Sequence, residues 1–477
     1  MTVTDLLAYA PFGFGVAAAI VAMVFDAWND CVSSLIGATA LLFVGGLAAA
    51  WTAAATSVQG SAVRSGGTMS IAPAACLLLG AVVLAGCARS LTTDRTGSRI
   101  VALTALTAAS SALVAAAADV GVLFLGVEML ALCGYGLVAL GGTDRAREAA
   151  MKWFVQGSVA TVVFVIGTGV LLGRTGGTLR YSAIASVAAT SFDGPLAVGF
   201  VLVIAALAFK LGAFPMHSWM PDAYETAPPA GAAVMASVGK IGPLAATVWL
   251  AFAATGAAGG RLMGVVAAIA LCSIVFGNLA ALRQRSLARM LAYSGIAQVG
   301  YALVGVPLGA RSTTVLVFAV LYGLTAAASF VLVEALHRSD TSWDGTIPGL
   351  EGLSRRNPAL AVSLVAIMLS LTGIPLTAGF WGKLVVFAYA SVGAYRWLAI
   401  AGVLGSVVSF GYYGAVIRSA FIDEPAAGEA LAYVEPSIAS GTRLVTGTVV
   451  VLAALIVLGG IVPLATGLEP ALRALVR

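Results

Sequence analysis

Three of the chain's four lysines, Lys210, Lys240 and Lys383, fall inside long apolar runs, and one carboxylate, Glu128, sits in the middle of such a run. An ionised side chain at the centre of a bilayer costs at least about 2.5–3.5 kcal/mol, so charges retained there mark ion or proton pathways by default. Removing an ammonium or a carboxylate from water pushes it toward its neutral form, whereas a glutamate beside a lysine favours the charged pair. Changing the distance within such a pair therefore changes its hold on a proton, which is the element a proton pump requires. Arginine outnumbers lysine 21 to 4 in this chain, and a guanidinium does not give up its proton. Lysine at three deep positions thus indicates a need for a cation able to deprotonate.

The local sequences support that chemistry. Glu128 sits mid-run in GVLFLGVEMLALCGYG, too deep for easy snorkelling, and its alternative role is a structural interhelical hydrogen bond. Lys210 lies in AALAFKLGAFPMHSWMPD, where Pro215 disturbs the helix and frees carbonyls that need water or a partner. Gly239, Gly242 and Pro243 loosen the chain around Lys240, and Gly373, Pro375 and Gly379 break the long run that leads to Lys383. His217, followed by Asp222 and Glu225, comes after the Pro215 break and is a candidate relay or a bridge between two helices. Glu334, near His337 and Arg338, reads as a solvated rim residue, and Asp119 as a loop or helix-cap residue.

Positioning these groups requires a membrane scaffold. The chain has 477 residues, 60% apolar and 9% charged, against about a quarter charged in soluble domains. Apolar runs at 7–25, 32–52, 71–88, 100–118, 120–140, 153–172, 196–214, 230–252, 262–282, 290–306, 314–336, 359–389, 398–417 and 445–464 predict an all-α membrane protein of about 14 transmembrane helices. In lipid only helices or closed barrels satisfy their own backbone. The loops after the odd-numbered helices carry fourteen Lys and Arg and the opposite side eight, which places the odd loops in the cytoplasm and both termini outside. The first run lacks a basic leader and a convincing cleavage site, as expected of a retained helix.

The pentapeptide GYGLV at 134–138 resembles GYALV at 300–304, an offset of 166 residues, and Lys210 and Lys383 are 173 apart beside Pro215 and Pro375. Similar offsets suggest a duplicated unit of five helices. An odd number inverts the second copy, giving two inverted five-helix repeats containing broken helices. The expected divisions are an N-terminal three-helix region at 1–99, a first repeat at 100–257, a second at 258–421, and a C-terminal loop and helix at 422–477.

Other function classes find little support. The five cysteines, Cys31, Cys76, Cys87, Cys133 and Cys272, are scattered without CxxC or metal-ligand spacing and read as packing residues. No phosphate-binding loop, dinucleotide fingerprint or large hydrophilic domain is present, so redox cofactors are expected in other chains. A net charge of +5 spread over loops gives no support for a nucleic-acid partner.

At the same residues the sequence resembles the antiporter-like membrane subunits of respiratory complex I, the proton-pumping NADH-quinone oxidoreductase. The resemblance rests on FLGVEMLALCGYGLVAL, KLGAFPMHSWMPDAYETAPPAGAAVMASVGK, RMLAYSGIAQVGYALVG and LTGIPLTAGFWGK, in order, over roughly residues 100–420. It implies the inverted repeats and a proton path through Glu128, Lys210, Lys240 and Lys383. A lysine within GFWGK is similar to the N-type members of that family. It further implies no metal or cofactor in this chain, with NADH, FMN, iron–sulfur clusters and quinone in partner subunits. The expected setting is a bacterial-type cell membrane, beside the other membrane subunits of complex I. Gln298 stands where many relatives have His and cannot titrate, so a relay there needs water. Residues 229–232 also depart from the relatives' Pro-Val-Ser or Pro-Val-Thr. A cation/proton antiporter of the Mrp type shares the ancestry and is the alternative reading; a solute permease and an assembly scaffold are more distant ones.

Overall fold

A computed structural model describes residues 3–28, 30–55, 58–59, 64–65, 70–92, 96–254, 259–308, 314–423 and 440–465. Arg95, Arg311, Arg473 and Arg477, counted above among the loop cations, lie outside the described residues. The chain is nearly all helical. Its helices are α1 (Val3–Ala27), α2 (Cys31–Ala55), α3 (Ile71–Gly86), α4 (Ala88–Leu91), α5 (Thr96–Ala116), α6 (Val120–Ala139), α7 (Asp144–Arg174), α8 (Tyr181–Thr190), α9 (Gly194–Leu211) and α10 (Trp219–Thr226). They continue with α11 (Pro229–Ala236), α12 (Val238–Ala254), α13 (Gly259–Ala281), α14 (Leu287–Leu303), α15 (Thr314–Ser339), α16 (Leu353–Arg356), α17 (Pro358–Thr372), α18 (Ala378–Ser391), α19 (Arg396–Phe421) and α20 (Ser440–Ala465). Two-residue strands at Val58–Gln59 and Arg64–Ser65 pair between α2 and α3.

Among the described residues, eleven helical spans are long and apolar enough to cross a membrane, with α11 and α12 together making one of them, and four more are apolar but shorter. Every apolar run expected from the sequence is occupied by helix, with informative differences at the boundaries. α7 starts well before the expected residue 153, because its first turns, DRAREAAMK, are charged and hide from an apolar count. Thr143 caps it by accepting from the Ala146 amide at 3.1 Å. Asp119 is the cap of α6, accepting from the Gly121 amide at 2.7 Å, as its sequence position suggested. The run at 230–252 is two helices rather than one, since Ser237 leaves the helical region (φ −102°, ψ −84°). The run at 359–389 is also two, divided between Thr372 and Ala378. α8 and α10 occupy stretches read from sequence as loops.

The break between α11 and α12 is held by one hydroxyl. Ser111 of α5 donates to the Val238 carbonyl at 2.6 Å and accepts from the Gly242 amide at 3.0 Å. Those groups lose helical partners at an interruption and, with no water in lipid, must be satisfied by a neighbour.

Three cysteines, Cys76, Cys87 and Cys133, are buried as expected, whereas Cys272 is exposed on α13. Glu334 corrects the sequence reading: it is 5% exposed rather than solvated. It lies one turn before the end of α15, and Arg338 donates Nε to its Oε1 at 2.5 Å, which satisfies the buried carboxylate.

Candidate functional site

α9 ends at Gly212, whose backbone is left-handed (φ +68°), a conformation that favours glycine. Lys210 lies in its last turn and is 7% exposed. Its ammonium donates to Glu128 Oε1 at 3.2 Å. Thr161 of α7 donates to the same oxygen at 2.9 Å and also lies 3.0 Å from its own helix's Gly157 carbonyl. Glu128, in the middle of α6, thus gathers groups from two other helices, α7 and α9. Its side chain is 27% exposed, on a face that presents Leu125, Leu132 and Val159 outward.

Lys240, 1% exposed, projects from α12 to the broken end of α9. It donates to the carbonyl of Leu211, the residue after Lys210, at 2.7 Å, and contacts Met220 Sδ at 3.2 Å. The faces of Trp219 and Tyr224 lie 5.1 and 5.7 Å from Nζ. A helix C-terminus carries unpaired carbonyls and partial negative charge, so this ammonium is held by a helix end without a carboxylate. Trp219 is fixed by donation of its indole N–H to the Phe209 carbonyl at 3.1 Å and by parallel stacking on Trp153 at 4.1 Å.

The same device recurs around Lys383. α17 ends at Gly373 (φ +88°), and after the break Lys383, early in α18, reaches back to the carbonyls of Leu371 and Thr372 at 2.9 and 2.8 Å. Ser406 Oγ of α19 accepts at 3.3 Å, and the Tyr301 ring lies 4.6 Å from Nζ. Gln298 and Lys383 share one acceptor, because Gln298 Nε2 also donates to the Leu371 carbonyl, at 2.8 Å. A cavity of about 10 Å³ lies beside Lys383, lined among others by Phe318, Tyr322, Thr325 and Ser370. That is on the scale of a single water.

α15 borders both lysine environments. Phe330 packs edge-on against Tyr224 beside Lys240, at 5.6 Å, while Phe318, Tyr322 and Thr325 line the Lys383 cavity.

His217 stands apart from these contacts. It packs against Phe214 and Phe276, ring centroids 5.4 and 4.4 Å away, and its buried Nδ1 has no hydrogen-bond partner among the described residues. Asp222 and Glu225 both engage Arg289 Nη1, at 2.7 and 3.0 Å. Sequence reading missed Thr161, Ser406 and the carbonyls of Leu211, Leu371 and Thr372. The carbonyls had a legible signal, a glycine just past a helix end near a buried lysine, whereas the two hydroxyls had none.

Comparisons with known proteins bear on this arrangement. A family model described as NADH:quinone oxidoreductase/Mrp antiporter, transmembrane, matches residues 117–409. Subunit N of the NADH-quinone oxidoreductase of Sphingopyxis alaskensis is 34% identical over 72% of this chain and 71% of its own length. The corresponding subunit of Xanthomonas euvesicatoria pv. vesicatoria is 38% identical over 63% of this chain, and the match spans 62% of that relative. In three dimensions the chain superposes on a chain of respiratory complex I from Thermus thermophilus with TM-score 0.75 and 24% identity, covering 95% of this chain and 98% of that one. It superposes on a chain of the Mrp complex from Dietzia sp. DQ12-45-1b with TM-score 0.83 and 20% identity, covering 98% and 96%. At those identities the two structures establish the shared fold.

Proposed function

The chain belongs to the transmembrane family shared by NADH:quinone oxidoreductases and Mrp antiporters, and from that premise we propose that it is a proton-translocating membrane subunit of an NADH-quinone oxidoreductase. The observation that carries the reading is the Glu128–Lys210 ion pair beside two lysines buried on the carbonyl ends of broken helices. Quinone reduction in partner subunits shifts the separation of Glu128 and Lys210, and Lys210 binds or releases a proton accordingly. Lys240 shares the same helix end and passes the proton on, and Lys383 connects to the opposite face through its water-sized cavity. His217 is an accessory relay, since it packs against Phe214 and Phe276 rather than any of these lysines. NADH, FMN, iron–sulfur clusters and quinone are held by partner subunits. The chain sits in the cell membrane with the loops after odd-numbered spans in the cytoplasm, both termini outside, and two inverted repeats at 100–257 and 258–421.

The test is proton pumping in vesicles carrying the assembled complex. Replacing Lys210 by Met should depress both pumping and coupled quinone reduction. An assembled mutant complex that pumps normally would overturn the assignment. Sodium-dependent proton exchange without electron transfer, from a chain purified free of iron–sulfur subunits, would establish the Mrp-type alternative instead.

A further inference from the structure

Lys240 donates to the Leu211 carbonyl and to Met220 Sδ, at 2.7 and 3.2 Å. Neither can carry its proton onward, since one is backbone and the other a thioether without an exchangeable hydrogen. Met220, on α10, is fully buried and reaches from the lysine toward α14. There its terminal methyl, Cε, comes within 3.4 Å of the position that a Cβ on Gly295 would occupy. The Tyr322 hydroxyl of α15 comes within 3.3 Å of the same position. Tyr322 is also one of the residues lining the cavity beside Lys383. One methionine side chain therefore spans from Lys240 to the wall of the Lys383 cavity, and Gly295, having no side chain, leaves room where the methyl meets the tyrosine hydroxyl.

The backbone does not call for a glycine there. Gly295 lies inside α14 and does not have a positive φ, and within a helix alanine is the more favourable residue. Room for a neighbour to move is what the absent side chain supplies. Met220 suits such movement, because an unbranched thioether turns about three side-chain bonds. Water has a reason to enter on the lysine's side. The Tyr224 ring lies 5.7 Å from Lys240 Nζ, and its buried hydroxyl has no partner among the described residues. A buried hydroxyl in that state is one that a water satisfies.

We propose that Met220 is an apolar gate between Lys240 and Lys383, and that Tyr322 carries the hydroxyl that receives the proton on its far side. With the methyl beside Gly295, the place between Lys240 and Tyr322 is filled by a group that cannot exchange hydrogen. When the thioether turns into the room left by Gly295, water spans the gap. The water takes a proton from the Lys240 ammonium and gives one of its own to the Tyr322 hydroxyl, which releases its original proton through the cavity to neutral Lys383. Each N–H or O–H bond broken is matched by one formed, so water and tyrosine end unchanged and one proton has moved. The proposal rests on the reading that Lys240 and Lys383 exchange protons.

The experiment follows proton movement with a pH-sensitive dye, and NADH oxidation beside it, in vesicles containing the assembled complex, with assembly verified by co-purification. Gly295→Ala puts a methyl in contact with both Met220 Cε and the Tyr322 hydroxyl and holds the gate shut, so pumping should fall several-fold with no loss of thermal stability. Tyr322→Phe removes only the receiving hydroxyl and should do the same. Met220→Ala removes the gate, so protons slip back between the lysines and the ratio of protons moved to NADH oxidised should fall. Met220→Val, which also lacks the terminal methyl, serves where the alanine variant does not assemble. Wild-type pumping in Gly295→Ala or Tyr322→Phe, a wild-type ratio in the Met220 variant, or losses that only follow a lowered melting temperature overturn the proposal. Loss of pumping in Lys240→Met keeps the wider function intact in that event. Normal pumping in Lys240→Met removes the wider function and this proposal together.

Discussion

Lys210 and Lys383 are both buried beside a glycine-ended helix break, yet they are held by different kinds of negative charge. Lys210 faces a carboxylate on another helix, Glu128, at 3.2 Å. Lys383 faces the backbone carbonyls of Leu371 and Thr372, and none of its bonds among the described residues is to a carboxylate. A side-chain counter-charge can be moved by rotating one residue or displacing one helix. A carbonyl end moves only when the break itself moves. On the proposed function, the first region is the one whose electrostatics are changed from outside, with Glu128, partly exposed on its face, as the handle. The second region holds its cation in fixed dipoles, so wetting of its cavity is left as the variable.

The sharpest way to break this comparison is to remove charge in the first region. We expect Glu128→Gln and Lys210→Met each to lower coupled pumping tenfold or more, about 1.4 kcal/mol or above. The double variant should be no worse than the single ones, because partners in one pair are not additive. Fully additive losses in vesicle pumping assays would show that the two do not act as a unit.

A smaller effect is expected at the two helix ends. A Cβ at residue 373 would lie 2.8 Å from Lys383 Cδ at φ +88°, and one at residue 212 would lie 2.8 Å from Met220 Sδ at φ +68°. Alanine at either position strains the backbone by about 1 kcal/mol or more. Gly373→Ala should also weaken pumping more than Gly212→Ala, since it pushes directly on the lysine's stem. Thermal unfolding of the purified complex reports the strain, and pumping reports the difference.

Weaker still are the single hydroxyls. Thr161→Val removes one of two donors to Glu128 Oε1, worth about 1 kcal/mol. Ser406→Ala removes a 3.3 Å contact to Lys383 that has two carbonyls in reserve. The threonine change should therefore lower pumping more than the serine change, and the reverse order would show that the carbonyls do not carry the second region.

The smallest effect belongs to the loop between α15 and α16. Hydrogen bonds from the Thr346 hydroxyl and backbone hold the Asp344 carboxyl below the ordinary aspartate range. Its stabilising contribution is present above the unfolded-state value and is lost as pH falls through the lower folded value. Asp344→Asn should lower thermal stability slightly at neutral pH and have no effect under strongly acidic conditions, read from melting curves across pH.

The amino-acid sequence carried the helices and the buried charges well, because the cost of a charge in lipid leaves few explanations for Glu128, Lys210, Lys240 and Lys383. The Lys210–Glu128 contact was anticipated from chemistry, since these are unlike charges at membrane depth. Helix breaks were legible where Pro and Gly cluster, at 212–215, 239–243 and 373–379, although the interruption near Lys240 falls at Ser237, just before its cluster. Ser111, 127 positions before Val238, holds the first turn after that interruption, a long-range partner with no local trace. Glu334 was misread for a related reason: proximity to a helix end suggested water, while burial is decided by neighbouring helices. Gln298 was recognised as unable to titrate, and its bond to the carbonyl that Lys383 also uses became visible only in three dimensions.

One consequence follows from α15, which touches Tyr224 through Phe330 and walls the Lys383 cavity through Phe318, Tyr322 and Thr325. Those contacts span about three turns of a single uninterrupted rod, too stiff to bend between them without a cause such as proline. A tilt imposed at one end must then show up at the other. Two chambers that share no ion pair are geared to each other like wheels on a common axle.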